Sequence, residues 1–123
     1  MIREEVMNAQ ITNVSLTMAD HGCLTYFLTL DGGCVGCVYG GYCLGHGYVG
    51  AKDFDATGKG LEAMMRIMDV VGVDRWEDLK GHYVRFIYPG LGGTVDTIGN
   101  ITKDKWFNQR RFFAEGGETN ANQ

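Results

Sequence analysis

The stretch Cys23-Leu24-Thr25-Tyr26-Phe27-Leu28-Thr29-Leu30-Asp31-Gly32-Gly33-Cys34-Val35-Gly36-Cys37-Val38-Tyr39 decides the fold. Residues 23–30 alternate, with Leu24, Tyr26, Leu28 and Leu30 on one face and Thr25, Phe27 and Thr29 on the other, the two-residue period of a strand. Asp31-Gly32-Gly33 follows with residues that accept positive φ, the chemistry of a hairpin turn, and 34–39 returns as the partner strand. Upstream, 11–18 alternates as well, placing Val14, Leu16 and Met18 together, and Asp20-His21-Gly22 is the turn between the two. The expectation is an antiparallel meander.

The period changes beyond residue 58. Leu61, Met64, Met65, Met68 and Val71 recur at helical spacing, while Glu62, Arg66 and Asp69 take the opposite face. Thr57 is placed to cap the start of this helix and Gly72 to close its end. Residues 44–58 read as an ordered, Gly-rich loop. Residues 72–81 read as a short helical turn, with Asp74 as cap and Trp76 and Leu79 turned inward. Two further strands, 83–88 and 94–99, pair across Pro89-Gly90-Leu91-Gly92-Gly93. The expected fold class is α+β, a mostly antiparallel β-sheet packed against one main α-helix. Residues 1–115 form the single domain and the polar segment 116–123 a disordered tail.

With 123 residues, 45% of them hydrophobic and 21% charged, the chain has the composition of one globular domain. It has no apolar run near the roughly 20 residues of a membrane helix. No signal core follows Met1, so export is not expected and the thiols are expected to stay reduced. Charge is unevenly spread. Residues 103–113, Lys-Asp-Lys-Trp-Phe-Asn-Gln-Arg-Arg-Phe-Phe, carry net +3, against −5 for residues 1–102 and −2 for 114–123. A basic patch on an acidic body excludes a long polyanion, which the rest of the surface would repel. It suits a small anion with a flat ring, such as a nucleotide. The plainer alternative is that the rings plug the core and the cations line a solvated rim.

Metal and catalysis find less support. Cys34, Cys37, Cys43 and His46 spell C-x2-C-x5-C-x2-H, four zinc-type ligands in thirteen residues. Strand alternation sets Cys34 and Cys37 on opposite faces, however, and no metal or other cofactor is expected. Asp20 and His21 are adjacent, a poor geometry for a general base and its orienter, and His46 and His82 are isolated in sequence. No enzyme is expected. Gly58-Lys59-Gly60 offers backbone N–H groups at the helix entrance, either as a weak anion site or as a loop softened by glycine. Arg85 interrupts an apolar strand beside Phe86; its face is either solvated or turned into a pocket or interface.

Three blocks of the chain resemble small phage and prophage proteins. They are residues 11–45, with Asp20-His21-Gly22-Cys23-Leu24-Thr25 and Gly40-Gly41-Tyr42-Cys43-Leu44; residues 60–85, with Gly60-Leu61-Glu62-Ala63-Met64 and Trp76-Glu77-Asp78-Leu79; and residues 98–107, with Lys103-Asp104-Lys105-Trp106-Phe107. The overall pattern is similar to the first anti-Thoeris sponge family. The resemblance implies a phage anti-defence protein in the cytoplasm of a bacterial host. Such a protein would bind the cyclic ADP-ribose isomer made by TIR-domain proteins and sequester it without cleaving it. A phage inhibitor that binds a host defence protein directly, as anti-CRISPR proteins do, is the competing class.

The candidate site residues come from chemistry and not from the resemblance. Arg110 and Arg111, or Lys103 and Lys105, would clamp a diphosphate. Trp106, Phe107 or Phe112 would stack an adenine, and Asn100 or Asn108 would read its edge. Arg85 and Phe86 are second-choice lining. Nanomolar sequestration corresponds to about −12 kcal/mol and needs deep enclosure. A domain this small encloses a dinucleotide most readily between protomers, so a homo-oligomer with ligand pockets at its interfaces is expected.

Overall fold

The alternating stretch becomes the middle of the sheet. In the computed structural model, which describes residues 5–91 and 93–121, β1 (Glu5–Asp20) pairs antiparallel with β2 (Cys23–Asp31), and β2 in turn with β3 (Gly36–Gly40). His21 and Gly22 both have positive φ, 56° and 76°, as a two-residue hairpin turn of primed type requires. Tyr26, Leu28 and Leu30 are fully buried. In β1 the register moves from Ile11↔Leu30 to Asn13↔Thr29, so Thr12 is an extra residue. The bulge exchanges the inward set: Ala9 and Ile11 are buried before it and Val14 packs on the core after it, while Leu16 stays exposed.

The segment expected as a plain loop contains two short strands, β4 (Gly45–His46) and β5 (Asp55–Ala56). β6 (Tyr83–Tyr88), β7 (Thr97–Asn100) and β8 (Trp106–Asn108) follow on the other side of β1, giving the order β5-β4-β2-β1-β6-β7-β8 with β3 also on β2. The sheet curls until its far parts meet. Val95 forms a parallel bridge to Tyr39, whose hydroxyl donates to the Phe107 carbonyl at 3.2 Å. The Tyr26 hydroxyl donates to Gln109 Oε1 at 2.7 Å, and Gln109 is itself fully buried. Burial pushes both phenols well above their ordinary range, so both remain donors at neutral pH.

The main helix, α1 (Gly58–Val71), starts and ends where the caps predict. The Thr57 side chain accepts from Gly60 N–H at 2.9 Å, and Gly72 adopts φ 96° with its N–H on the Met68 carbonyl. Its buried face is only partly the one expected: Val71 is buried and Met64 packs on the core, but the face is rotated away from Leu61 and Met65. Gly60, Ala63, Ile67, Val70 and Val71 turn inward, Met64 and Met68 are half-buried, and Leu61 and Met65 are 62% and 64% exposed. Close approach selects the small residues: a Cβ on Gly60 would sit 2.8 Å from that of Leu44. Asp74 does not cap the following turn. That turn is 3-10, Trp76–Leu79, and Arg75 occupies its cap position without a side-chain capping bond, its guanidinium pairing with Glu77 at 2.9 Å.

A second helix, α2 (Gln109–Ala121), was not anticipated, and its backbone continues past residue 115. The remainder of the expected tail, 122–123, lies outside the described residues. The whole is a small α+β domain with a curled antiparallel sheet and two helices. No helix among the described residues is long and apolar enough to cross a membrane.

Candidate functional site

The register of β6, β7 and β8 sets Arg85, Gly99 and Trp106 in one row across the sheet. The missing side chain of Gly99 makes room for the indole, since a Cβ there would lie 2.4 Å from a Trp106 ring carbon. The Arg85 guanidinium then stacks over that ring at 4.5 Å and donates to the carbonyls of Asn100 and Lys103, each at 2.7 Å. Trp106 Nε1 donates to Asp104 at 2.8 Å. The two sequence alternatives for Arg85 thus give way to a third, in which it braces the 100–105 loop.

Asn100 is the hub of that loop. Its Nδ2 donates to the Val70 carbonyl at 2.8 Å, closing the end of α1, and its Oδ1 accepts from the N–H groups of Thr102 and Lys103. Nothing of it is left to read an adenine edge. Lys105 reaches back to Asp69, 2.8 Å from a carboxylate oxygen, and ties the loop to α1 a second time. Lys103 and Lys105 both line a cleft of about 770 Å³ whose rim also holds Asp69, Asp74, Glu77 and Asp78. Those carboxylates oppose a diphosphate.

The start of α2 is built differently. Asn108 caps it, its Oδ1 accepting from Arg111 N–H at 2.9 Å, so Asn108 is also committed. Arg110 and Arg111 are adjacent on the helix and diverge. Arg110 faces Asp96 at 3.8 Å beside Tyr42, whereas Arg111 enters a groove of about 560 Å³ with Trp106, Asn108, Phe112, Glu115 and Arg66 of α1. They do not form one clamp. The Phe112 ring carries Lys59 Nζ at 3.7 Å and the Arg66 guanidinium at 5.4 Å from its centroid. Arg66 is paired with Glu62. The Arg111 guanidinium and the Lys59 ammonium have neither a hydrogen bond nor an ion pair among the described residues.

The sequence-derived set is therefore divided. Trp106, Phe107, Asn108, Arg111 and Phe112 come together around the groove, and Lys103, Lys105 and Asn100 belong to the acidic cleft. Phe86 is 0% exposed and is a core residue, so it cannot line a ligand. Phe107 is largely core as well, in edge-to-face contact with Phe112 at 5.2 Å. Sequence reading missed Arg66 as a groove residue. It had placed Arg66 on the outer face of α1, and the i, i+7 relation of Lys59 and Arg66 was the available signal that both serve one ring.

The thiol string does not assemble as written either. Cys43 and His46 gather with Cys23, and Cys34 and Cys37 are not in that group. Neither protein families nor curated proteins nor solved structures offer a match to this chain.

Proposed function

We propose that the chain is a binding protein for a small nucleotide signal, held in the groove between α1 and α2 and not cleaved there. The observation that carries the reading is the Arg111 guanidinium, without a hydrogen bond or ion pair among the described residues, in a space of about 560 Å³ shared with Phe112 and Trp106, while Lys59 lies over the Phe112 ring. That volume lies within the usual range of ligand sites. Arg111 supplies the planar fork that matches a phosphate, and Lys59 on the Phe112 ring adds positive charge nearby, whereas the charge of Arg66 is already met by Glu62. Joined to the phage-protein resemblance, this makes the chain an anti-defence sponge for a cyclic ADP-ribose isomer, acting in the host cytoplasm. The groove is open on one side, so tight enclosure calls for a second copy of the chain to cover it.

A second reading rests on Leu61 and Met65, exposed one turn apart on α1, which are the kind of anchors a partner protein would cover. One experiment separates the two. The purified protein is mixed with the product of a TIR-domain enzyme, filtered, and heated. Depletion followed by release of intact nucleotide supports the sponge. Altered product would indicate an enzyme, and no depletion would leave the protein-binding inhibitor.

A further inference from the structure

Strand pairing makes a donor cluster that the sequence order conceals. Cys23 opens β2, and its partner in β4 is His46. Between them the chain is pinned twice more, by Leu44 N–H on the Leu24 carbonyl at 2.7 Å and by Gly47 N–H on the Gly22 carbonyl at 2.8 Å. Cys43, three residues before His46, is thereby folded onto the same corner. The two sulfurs and a ring nitrogen of His46 all lie within 4.8 Å of one another.

The spacing matches a specific coordination geometry. Zinc holds sulfur at about 2.3 Å and imidazole nitrogen at about 2.0 Å, so a tetrahedral ion separates such a pair by about 3.5 Å. Cys43 Sγ and His46 Nε2 are 3.6 Å apart. A pair of thiolates on the same ion stands about 3.8 Å apart. Cys23, within 4.8 Å of both other ligand atoms, therefore needs a shift of no more than about 1.3 Å, within reach of a side-chain adjustment. Cys43 and His46 are exposed and Cys23 is half-buried, which leaves an entry path. Two soft sulfurs and one imidazole favour zinc over calcium or magnesium.

We propose that Cys23, Cys43 and His46 form a zinc site. Binding takes both thiols as thiolates, releases their protons to solvent, and gives up the 3.2 Å contact that the Cys43 thiol makes to the Gly45 carbonyl. Three protein ligands leave the fourth position to water or to an incoming ligand, unlike a closed structural site. His46 also lines a neighbouring cleft of about 340 Å³ with His21, Tyr48, Phe54 and Asp55, from which such a ligand would come. The site is independent of the α1–α2 groove and of the nucleotide reading. It replaces the sequence expectation of no metal, which considered only the string beginning at Cys34.

The test uses the full chain, reduced, stripped with chelator and titrated with Co(II), then with Zn(II). The expected result is about one Co(II) per chain with a thiolate-to-cobalt charge-transfer band and tetrahedral visible bands, both abolished by Zn(II). Affinity should rise with pH, because protons compete for the ligands. Cys34→Ser should leave the spectrum unchanged. Cys43→Ser and, as a second variant on an exposed residue, His46→Ala should weaken it at least tenfold with far-UV dichroism retained. An octahedral cobalt spectrum without the thiolate band would overturn the proposal. So would a thiolate spectrum that survives both variants and disappears in Cys34→Ser.

Discussion

Residues 100–106 and 107–113 each contain two cations and at least one aromatic ring, yet the fold spends them differently. In the first half several side chains bond back to their own chain, although residues 101–104 are exposed. Asn100 closes α1, Lys105 holds Asp69, and Trp106 lies under Arg85 with its N–H on Asp104. In the second half the polar groups of Asn108 and Gln109 are consumed by the helix start and the core, while Arg111 is left over. Composition marks both halves as equally suited to an anion. The hydrogen-bond inventory separates them, because a group already satisfied by its own chain must lose that partner before it can bind another. Among the described residues, Arg111 at α2 is a cation without a hydrogen bond or ion pair that shares a groove with aromatic rings, whereas the loop's Lys105 is held by Asp69.

The contrast can be broken most severely at its hub. Asn100→Ala leaves the Val70 carbonyl without its partner in a buried setting and the part-buried N–H groups of Thr102 and Lys103 without theirs. A loss of about 3 kcal/mol of stability is expected, read by denaturant unfolding. A loss under about 1 kcal/mol would mean that the loop is not braced as described. Arg85→Ala removes two charge-assisted bonds and the stack on Trp106, and should cost about 2 kcal/mol, with a change in Trp fluorescence.

How much of this was legible in the sequence depends on what each feature required. The strands around 23–31 and 83–88 were, because alternation in the one and β-forming residues in the other are local signals, and so were Thr57 and Gly72, whose roles follow from their own backbone chemistry. The inward face of α1 was misread in part because hydrophobicity pointed to Leu61 and Met65, whereas the fit against Leu44 requires Gly60 on the inward side. α2 was missed because its anchor is a buried Gln109 held by Tyr26, a pairing across 83 residues with no apolar period to announce it. The Cys23 cluster was invisible for the same reason. It exists only once Cys23 pairs with His46.

The Tyr26–Gln109 bond allows a smaller test of how α2 is held. Tyr26→Phe leaves Gln109 Oε1 buried without its donor and should cost about 1.5 kcal/mol near neutral pH. The pH dependence has a definite sign. Tyr26 and Tyr39 keep their protons in the fold above the pH, about 10, at which an unfolded chain releases them. The folded state then binds more protons than the unfolded one, so their contribution is intact below about pH 10 and is lost as pH rises beyond it. Thermal melts should show the fall, and Tyr26→Phe should make it shallower. The weakest expected effect is that of Lys105→Ala. Its pair with Asp69 is substantially exposed, and its removal should cost about 0.5 kcal/mol in the same unfolding assay.

The central claim is that the working cation of this segment is Arg111. Titration calorimetry with the cyclic ADP-ribose isomer made by a TIR-domain enzyme tests it most directly, on wild type, Arg111→Ala and Arg110→Ala. Loss of a charge-assisted contact of about 1.5–3 kcal/mol should weaken binding roughly ten- to a hundredfold in Arg111→Ala. The variant's melting temperature should stay close to that of wild type, and Arg110→Ala should bind nearly as wild type does. Wild-type affinity in a folded Arg111→Ala protein, or no binding by the wild type at all, would contradict the account.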